Sequence, residues 1–357
     1  MKICLGSSPI SGRCISGSSV VALFTSLFFL LLGASSRPAF AQEAVVLVGS
    51  GSSVPAPLYT RFAAEYNKRN PGIQLRYLAI GTSEGIKQIA KGSGDFGAGE
   101  VQLSASERSE THLTELPAVM IAIVPMYHLP GLHQDLRFSG ELLAEIFLGE
   151  IKNWNDPQIA KLNPGVSLPD TPIKVIYRPA GKGTNYIFTE FLSKTSPKFR
   201  SKIGVTPSPV WPVGTPAERT SDMVEKVKAE AGTIGYGELQ YAVKADVQFG
   251  RVQNSSGNFI KASPESVEAA CRAVEAPSWD KFTASLTNPP GAESFPITSF
   301  TWLYLKTSTG DAKRAKALAD LLNWIYTDGQ QLAGQDGYSE LPQQMLAKVR
   351  ARANSLQ

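Results

Sequence analysis

Small hydroxyl residues occur at three places where a predicted strand gives way to a predicted helix. These places are Ser52-Ser53, Thr82-Ser83 and Gly183-Thr184. The first turn of a helix has unpaired backbone N–H groups and the positive end of the helix dipole, and a neighbouring hydroxyl adds another donor. Three such turns that converge would form an anion pocket. Each turn alone is more simply explained as a helix cap, because serine and threonine are favoured there.

The segment RPAGKGT, from Arg178 to Thr184, adds two cations to one of these turns. Arg178 follows a predicted strand and precedes a hydroxyl-bearing helix start. A guanidinium fork beside a helix N-terminus can hold an oxyanion through two hydrogen bonds at once. Lys182 supplies a second positive charge in the same loop. This combination favours an anion-binding site over a set of helix caps.

Two enzyme motifs overlap these turns, and neither fits well. The segment GTSEG at 81–85 matches the G-x-S-x-G nucleophile elbow, which would make Ser83 a nucleophile. Too few residues precede it for the usual strands, and the three histidines lie in no recognisable context. The loop AGKGT at 180–184 is similar to a nucleotide-phosphate loop, but Gly183 interrupts the required Gly-Lys-Ser/Thr. No cluster has metal-ligand spacing, so the sequence predicts no metal and no cofactor.

Strands and helices alternate along the chain and position these turns. Short apolar runs at 45–48, 73–80 and 118–126 are typical of strands, with helices between them. Predicted helices cover 84–91, 140–148, 222–229, 311–326 and 342–353, and a turn is predicted at 233–237. The alternation predicts an α/β fold with largely parallel sheets covered on both faces. The chain exceeds the size of one growing core, so we expect two lobes that share the chain.

The first 41 residues differ in composition from the rest of the 357-residue chain. They contain basic but no acidic residues, an apolar run at 20–32 and a small-x-small end at 39–41, as a cleavable secretory signal does. The apolar run is too short for a stable membrane span. Cleavage after Ala41 would remove Cys4 and Cys14 and leave Cys271 without a disulfide partner in the chain.

The remaining segment is nearly neutral. Residues 1–41 hold three of the 35 basic residues and none of the 31 acidic ones. No basic run remains, so nucleic acid is not an expected partner. Cys271 lies among alanines on a predicted helix, where a cysteine usually acts as a small buried apolar residue.

Several segments resemble those of a known family in both order and spacing. They are GSGSSVPAPLY (49–59), IGTSEGIKQI (80–89), DFGAGEVQLS (95–104), LAEIFLGEIKNWNDPQIAKLNPGVSLP (143–169), WPVG (211–214), GTIGYGELQYA (232–242) and FPITSFTWL (295–303). The sequence resembles the periplasmic phosphate-binding component of phosphate-specific ABC importers, in the type II periplasmic-binding-protein superfamily. The resemblance implies a two-lobed flytrap with hinge crossovers. Such a protein binds inorganic phosphate in its cleft and hands it to a membrane permease, and it makes and breaks no bond.

The resemblance also implies an organisation and a location. Lobe I would comprise 42–118 plus 293–357, and lobe II would comprise 119–292. The protein would be a monomer, secreted to the periplasm after removal of residues 1–41. Two alternatives remain open: a phosphate-ester hydrolase, and a sensor or binder of another anion such as sulfate or a larger phosphorylated compound.

Eight positions correspond to the ligand positions of the family. They are Ser53, Val54, Thr82, Glu100, Arg178, Lys182, Gly183 and Thr184. Arg178, Gly183 and Thr184 match the family pattern directly. Val54 stands where the family usually has an aromatic residue, and Thr82 stands where it usually has a serine. Glu100 stands where the family has the aspartate that accepts the ligand's proton. Ala180 replaces the acid that orients the arginine, and Lys182 replaces a ligand-contacting serine.

These departures change the expected charge of the site. The family pattern has one arginine against two acids, whereas this sequence offers Arg178 and Lys182 against Glu100. In one hypothesis Lys182 holds an oxygen of phosphate and Glu100 takes its proton. In the other, Lys182 pairs with Glu100 and the site admits sulfate-like or larger phosphorylated anions. Hinge closure would remove water and strengthen every donor, while a carboxylate acceptor would reject fully ionised anions.

Overall fold

The computed structural model describes residues 44–274, 282–306 and 310–355. The predicted signal segment, residues 1–41, and its cleavage site lie outside the described residues. Within the described ranges, no helix is long and apolar enough to cross a membrane.

Most strands form one eight-stranded sheet in the order β2-β1-β3-β11-β4-β8-β6-β7, and three form a small sheet in the order β10-β9-β5. The strands are β1 (Val45–Gly51), β2 (Ile73–Ala79), β3 (Phe96–Gly99), β4 (Leu113–His128), β5 (Arg137–Phe138), β6 (Lys174–Tyr177), β7 (Thr215–Pro216), β8 (Thr233–Glu238), β9 (Arg251–Gln253), β10 (Phe259–Ile260) and β11 (Thr298–Lys306).

Helices connect the strands and cover the large sheet. They are α1 (Ala56–Arg69), α2 (Thr82–Ala90), α3 (Ala105–Thr111), α4 (Gly140–Phe147), α5 (Pro157–Leu162), α6 (Gly183–Thr195), α7 (Pro197–Lys202), α8 (Thr220–Ala229), α9 (Leu239–Lys244), α10 (Pro264–Arg272), α11 (Ala312–Ile325), α12 (Asp328–Gln335) and α13 (Gln343–Asn354).

Strand β4 passes through the middle of the large sheet. From Leu113 to Ala122 it pairs with β11, and from Ile123 to His128 it pairs with β8. Nearly all of its 16 residues are buried, as expected for a strand covered on both faces. It therefore joins the side of the molecule built on β1–β3 to the side built on β6–β8. The predicted boundary at 118/119 falls inside this strand, and the division into lobes stays a prediction.

The α/β fold is confirmed, but the sheet is mixed rather than largely parallel. On one side β1 is parallel to β2 and β3, and on the other side β6 is parallel to β7 and β8. Strand β11 is antiparallel to β3 and β4, and β4 is antiparallel to β8. The antiparallel pairs lie in the middle of the sheet, where β4 runs opposite to both β11 and β8.

The predicted turn at 233–237 is wrong, because these residues form the buried strand β8. Its glycines resemble a turn in sequence, but they make room for neighbouring side chains. A Cβ on Gly235 would lie 2.4 Å from Sδ of Met223, and one on Gly237 would lie 2.8 Å from Cε of Met126. The close packing of α8 and β4 against β8 therefore explains why this strand contains glycines, which in the sequence look like turn residues.

Two helices near the predicted site begin two residues earlier than predicted. Helix α2 begins at Thr82, directly after Gly81, whose φ of 97° suits glycine. Helix α8 begins at Thr220, because the carboxylate of Asp222 accepts the backbone N–H of Arg219 at 3.0 Å and caps the first turn. As a result, Thr82 and Thr220 lie in first turns rather than in loops.

Cys271 is a buried, free cysteine on α10, as the sequence predicts. Burial raises the pKa of its thiol to about 12, so the thiol is neutral at physiological pH. It is a packing residue of the core.

Candidate functional site

Glu100 follows β3 and lies beside the first turn of α2. Its side chain is fully buried, and Oγ1 of Thr82 donates a hydrogen bond to its Oε2 at 2.9 Å. Its other oxygen, Oε1, has no hydrogen-bond partner among the described residues. A buried polar atom without a partner is costly, so Oε1 is available to a ligand.

Burial raises the pKa of Glu100 to about 8. The neighbouring hydroxyls of Ser52 and Thr82 oppose this effect, the charge of Glu238 adds to it, and the charge of Arg178 opposes it. Desolvation is the largest cause, since a carboxylate loses its hydration in a buried site. In this conformation Glu100 therefore carries a proton at neutral pH.

Arg178 follows β6, and its side chain is only 1% exposed. Nη1 donates to Oγ1 of Thr220 at 2.8 Å, and Nη2 donates to the carbonyl oxygen of Glu218 at 2.9 Å and to Oγ of Ser53 at 3.3 Å. Nε has no partner, and within the described ranges no carboxylate lies within salt-bridge distance of the guanidinium. A buried cation without a counterion creates a strong preference for an anion.

Two side chains fix the loop that carries Arg178. Nδ2 of Asn185 donates to the carbonyl oxygens of Arg178, Pro179 and Pro207 at 2.7–3.1 Å. The hydroxyl of Tyr236 donates to Oδ1 of Asn185 and accepts the backbone N–H of Arg178. The guanidinium is thus held by a rigid loop, which reduces the ordering cost of binding an anion.

The first turn of α6 lies directly against Glu100. A Cβ on Gly183 would lie 1.7 Å from Oε2 of Glu100 and 2.8 Å from Oγ1 of Thr82. The backbone N–H of Ser83 also donates to the carbonyl oxygen of Gly181 at 3.3 Å, which joins the starts of α2 and α6. The two helix N-termini therefore converge on one place, as the hydroxyl-bearing turns predict.

Thr184 is buried, and its Oγ1 donates to Oε1 of Glu238 at 2.8 Å. Glu238 ends β8, is fully buried, and its Oε2 has no partner among the described residues. The site thus contains two buried carboxyl groups, one on each side of the first turn of α6.

The remaining predicted residues take more peripheral positions. Oγ of Ser53 accepts from Arg178, and the backbone N–H of Val54 donates to Oγ of Ser52 at 3.1 Å. Nζ of Lys182 pairs with Oε2 of Glu218 at 3.1 Å. The hypothesis that Lys182 pairs with Glu100 is therefore wrong for this conformation, because Glu218 takes the ammonium at the rim. A role for Lys182, Ser53 or Val54 in binding an anion stays a prediction.

The geometry supports neither enzyme motif. Ser83 is exposed, and in the described part of the chain no hydrogen bond joins it to a histidine. In the loop 180–184, the backbone N–H groups of Gly181 and Lys182 both donate to the carbonyl oxygen of Pro207, at 2.9 and 3.2 Å. These groups are therefore not free to surround a nucleotide phosphate. The described residues contain no His/Cys/Asp/Glu group that could hold a metal.

Comparison with known proteins gives one consistent family. Residues 38–329 match the PBP superfamily domain. The phosphate-binding protein PstS of Xylella fastidiosa is 34% identical over 322 residues, which cover 89% of this chain and 88% of the relative. PstS of Pasteurella multocida is 34% identical over 315 residues, which cover 88% and 91%. This chain belongs to the PstS family.

Solved structures support the same fold. A high-affinity periplasmic phosphate-binding protein, PfluDING, solved with bound phosphate at pH 8.5, superposes with a TM-score of 0.69. It is 19% identical, and the match covers 86% of this chain and 93% of that one. At this identity the likeness concerns the fold, and it agrees with a two-lobed binding-protein architecture.

The structure corrects the charge expected from the PstS pattern. Glu218 and Glu238 were not among the predicted site residues, yet one pairs with Lys182 and the other binds Thr184. Two cations therefore face three carboxyl groups, not one. With all groups ionised, these five side chains carry a net charge of −1, not the +1 expected from Arg178, Lys182 and Glu100 alone. Glu238 lies in the segment GTIGYGELQYA that the resemblance already uses, but the predicted turn there concealed its burial at a strand end.

Proposed function

We propose that this protein binds inorganic phosphate at the junction of α2, α6 and β3 and delivers it to an ABC-type permease. One observation supports this proposal above the others: the buried guanidinium of Arg178 forms no salt bridge with any described residue, and its charge acts on the buried carboxyl group of Glu100. A tetrahedral oxyanion that both accepts and donates hydrogen bonds complements this pair.

The ligand would be held by fixed donors after its water is removed. Arg178 binds two oxygens, and the unpaired N–H groups in the first turn of α6 bind a third. Glu100 Oε1 shares a proton with the remaining oxygen. Phosphate carries a titratable proton of its own, so it can pair with Glu100 whether that group is ionised or protonated.

Binding without chemistry agrees with the relatives, whose names describe binding proteins rather than enzymes. For transport, residues 1–41 would be removed and the protein would be secreted to the periplasm as a monomer. There it would dock on permease subunits. The two lobes would be 42–118 plus 293–357 and 119–292. Strand β4, which crosses the middle of the sheet, would serve as one hinge connection.

Isothermal titration calorimetry with inorganic phosphate tests the proposal. Substitution Arg178→Met removes at least two charge-assisted hydrogen bonds, each worth about 1.5–3 kcal/mol, so the affinity should fall by more than about 100-fold. Arg76→Met, on the exposed side of β2, is the matched control and should bind as the wild type does. Wild-type protein that binds no phosphate, or an Arg178→Met variant with undiminished affinity, would contradict the proposal.

A further inference from the structure

A cavity of about 780 Å³ lies between helix α9 and helices α1 and α12, and the phosphate-binding proposal does not use it. We call it the junction pocket, because α1 follows β1 on one side of the sheet and α9 follows β8 on the other. Its lining includes Pro57, Ala64, Leu239, Tyr241, Lys244 and Tyr338. Sites for small organic molecules usually have volumes of about 300–1,000 Å³, so the cavity has a suitable size.

Direct contacts hold the walls of the junction pocket in place. A Cβ on Gly337, just after α12, would lie 3.2 Å from Cβ of Gln240 on α9. The hydroxyl of Tyr338 donates to the carbonyl oxygen of Val54 at 2.9 Å, which ties the same segment to the start of α1. The pocket is therefore formed before a ligand enters, and this reduces the ordering cost of binding.

Two polar groups on one face of α9 are available to a ligand. Tyr241 and Lys244 are three residues apart, so their side chains lie on the same face of the helix, and both line the pocket. Within the described ranges, neither the hydroxyl of Tyr241 nor the ammonium of Lys244 forms a hydrogen bond or an ion pair. The other cation of the lining, Arg61, pairs with Asp336. The lining thus carries one uncompensated positive charge.

Much of the remaining lining is apolar. Pro57 and Ala64 contribute from α1, and Leu239 and Val243 contribute from α9. The side chain of Val243 is 61% exposed, which is a large exposure for an apolar residue. A ligand that covers these side chains would remove apolar surface from water, and such burial is the main source of affinity in concave sites. The best complement is an apolar body that carries one negative charge.

We propose that the junction pocket is a second binding site, which takes an amphiphilic organic anion. The aromatic or aliphatic body of the ligand lies against α1 and α9, and its carboxylate or sulfonate accepts hydrogen bonds from Tyr241 and Lys244. None of the eight predicted phosphate positions lines this pocket, so the two sites are separate. Inorganic phosphate has no apolar part and would leave the walls of the pocket in contact with water.

Fluorescence titration with two related probes tests the proposal. The first is 8-anilinonaphthalene-1-sulfonate, and the second is N-phenyl-1-naphthylamine, which has the same aromatic body without the sulfonate. Lys244→Met should weaken binding of the sulfonate by about three- to tenfold and leave the neutral probe unchanged, because one charge-assisted hydrogen bond is lost. Lys91→Met, at the exposed end of α2, is the matched control. Ala64→Trp should fill the pocket and weaken both probes by more than about tenfold, whereas Ala105→Trp, exposed on α3, should not.

Arg178→Met shows which site the probes occupy, and both should bind this variant as they bind the wild type. Near-ultraviolet circular dichroism checks that each variant is natively packed, because the sulfonate probe also binds loosely packed states.

No saturable binding to the wild type, loss of binding in Arg178→Met, undiminished binding in Ala64→Trp, or an equal effect of Lys244→Met on both probes would overturn the proposal. An affinity that falls as the protein concentration rises would also overturn it, since a second copy of the chain would then fill the pocket. Phosphate binding by the wild type does not depend on these outcomes, so the proposed function is tested separately.

Discussion

Arg178 and Glu100 each bury an ionisable group with an unused polar atom. The guanidinium is held by hydroxyl and carbonyl oxygens, which orient it without neutralising it. One oxygen of the carboxyl group accepts from Thr82, and the other has no hydrogen-bond partner in the part of the chain that the structure describes. Neutral partners of this kind orient a charged group for a ligand. A salt bridge within the protein would instead have neutralised its charge. At this scale the site is organised for an anion that can both accept and donate hydrogen bonds.

Lys182 is expected to contribute little to affinity. Its ammonium pairs with Glu218, whose side chain is 70% exposed, so the pair is screened by water. Substitution Lys182→Ala should weaken phosphate binding less than about fivefold, the range expected for a surface ion pair. Calorimetry on this variant checks the expectation, with Lys174→Ala at the exposed pair with Glu230 as a matched control. A loss near 100-fold would instead make Lys182 a direct ligand.

The sequence could predict the residue types of the site but not their partners. Local sequence patterns reveal Arg178, Glu100 and the three turns, because each combines a suitable side chain with a position at the end of a predicted strand. Glu238 becomes a site residue only because β8 pairs with β4 and β6, which brings it beside Thr184. Such a contact depends on sheet order, and one local segment does not contain that information.

At the scale of elements, the start of α6 is the part that closes the site. Its first residue, Gly183, lets the helix N-terminus approach Glu100 and Thr82 more closely than any side chain would allow. The glycines of β8 have a related role, since they admit side chains of α8 and β4. At these positions the glycines therefore mark close packing rather than turns.

Substitution Gly183→Ala should weaken phosphate binding by about 10- to 100-fold, because overpacking a tight site costs about 1–3 kcal/mol. The new methyl group would lie 1.7 Å from Oε2 of Glu100 and would push α6 away from it. Gly72→Ala is the control, since a Cβ there meets nothing within 4 Å. Calorimetry with phosphate checks both variants, and equal affinities would show that α6 does not need this close approach.

For the whole molecule, the fold prediction gave the correct α/β class but missed that β4 and β11 make the centre of the sheet antiparallel. Alternating strands and helices indicate an α/β protein, and parallel pairing holds on both sides of the sheet. The centre of the sheet is antiparallel because β4 runs opposite to both β11 and β8, and it changes partner between Ala122 and Ile123. A continuous apolar run predicts a buried strand but does not show that its two ends belong to different neighbours.

The pKa of Glu100 predicts how the stability of the empty protein depends on pH. The folded protein keeps a proton between the ordinary value of 4.5 and about 8, whereas the unfolded chain releases it. The free energy of unfolding should therefore decrease as pH rises through this range, by up to about 1.4 kcal/mol per pH unit from this group. Urea denaturation of the wild type and Glu100→Gln, compared at each pH, isolates the effect. A difference that stays constant or increases with pH would contradict it.

A crystal structure of the protein grown with inorganic phosphate tests the central claim most directly. We expect one phosphate within hydrogen-bond distance of the Arg178 guanidinium, Oε1 of Glu100 and the backbone N–H groups at the start of α6, with no metal beside it. Phosphate found only elsewhere on the surface, with water between Arg178 and Glu100 at saturating ligand, would contradict the account.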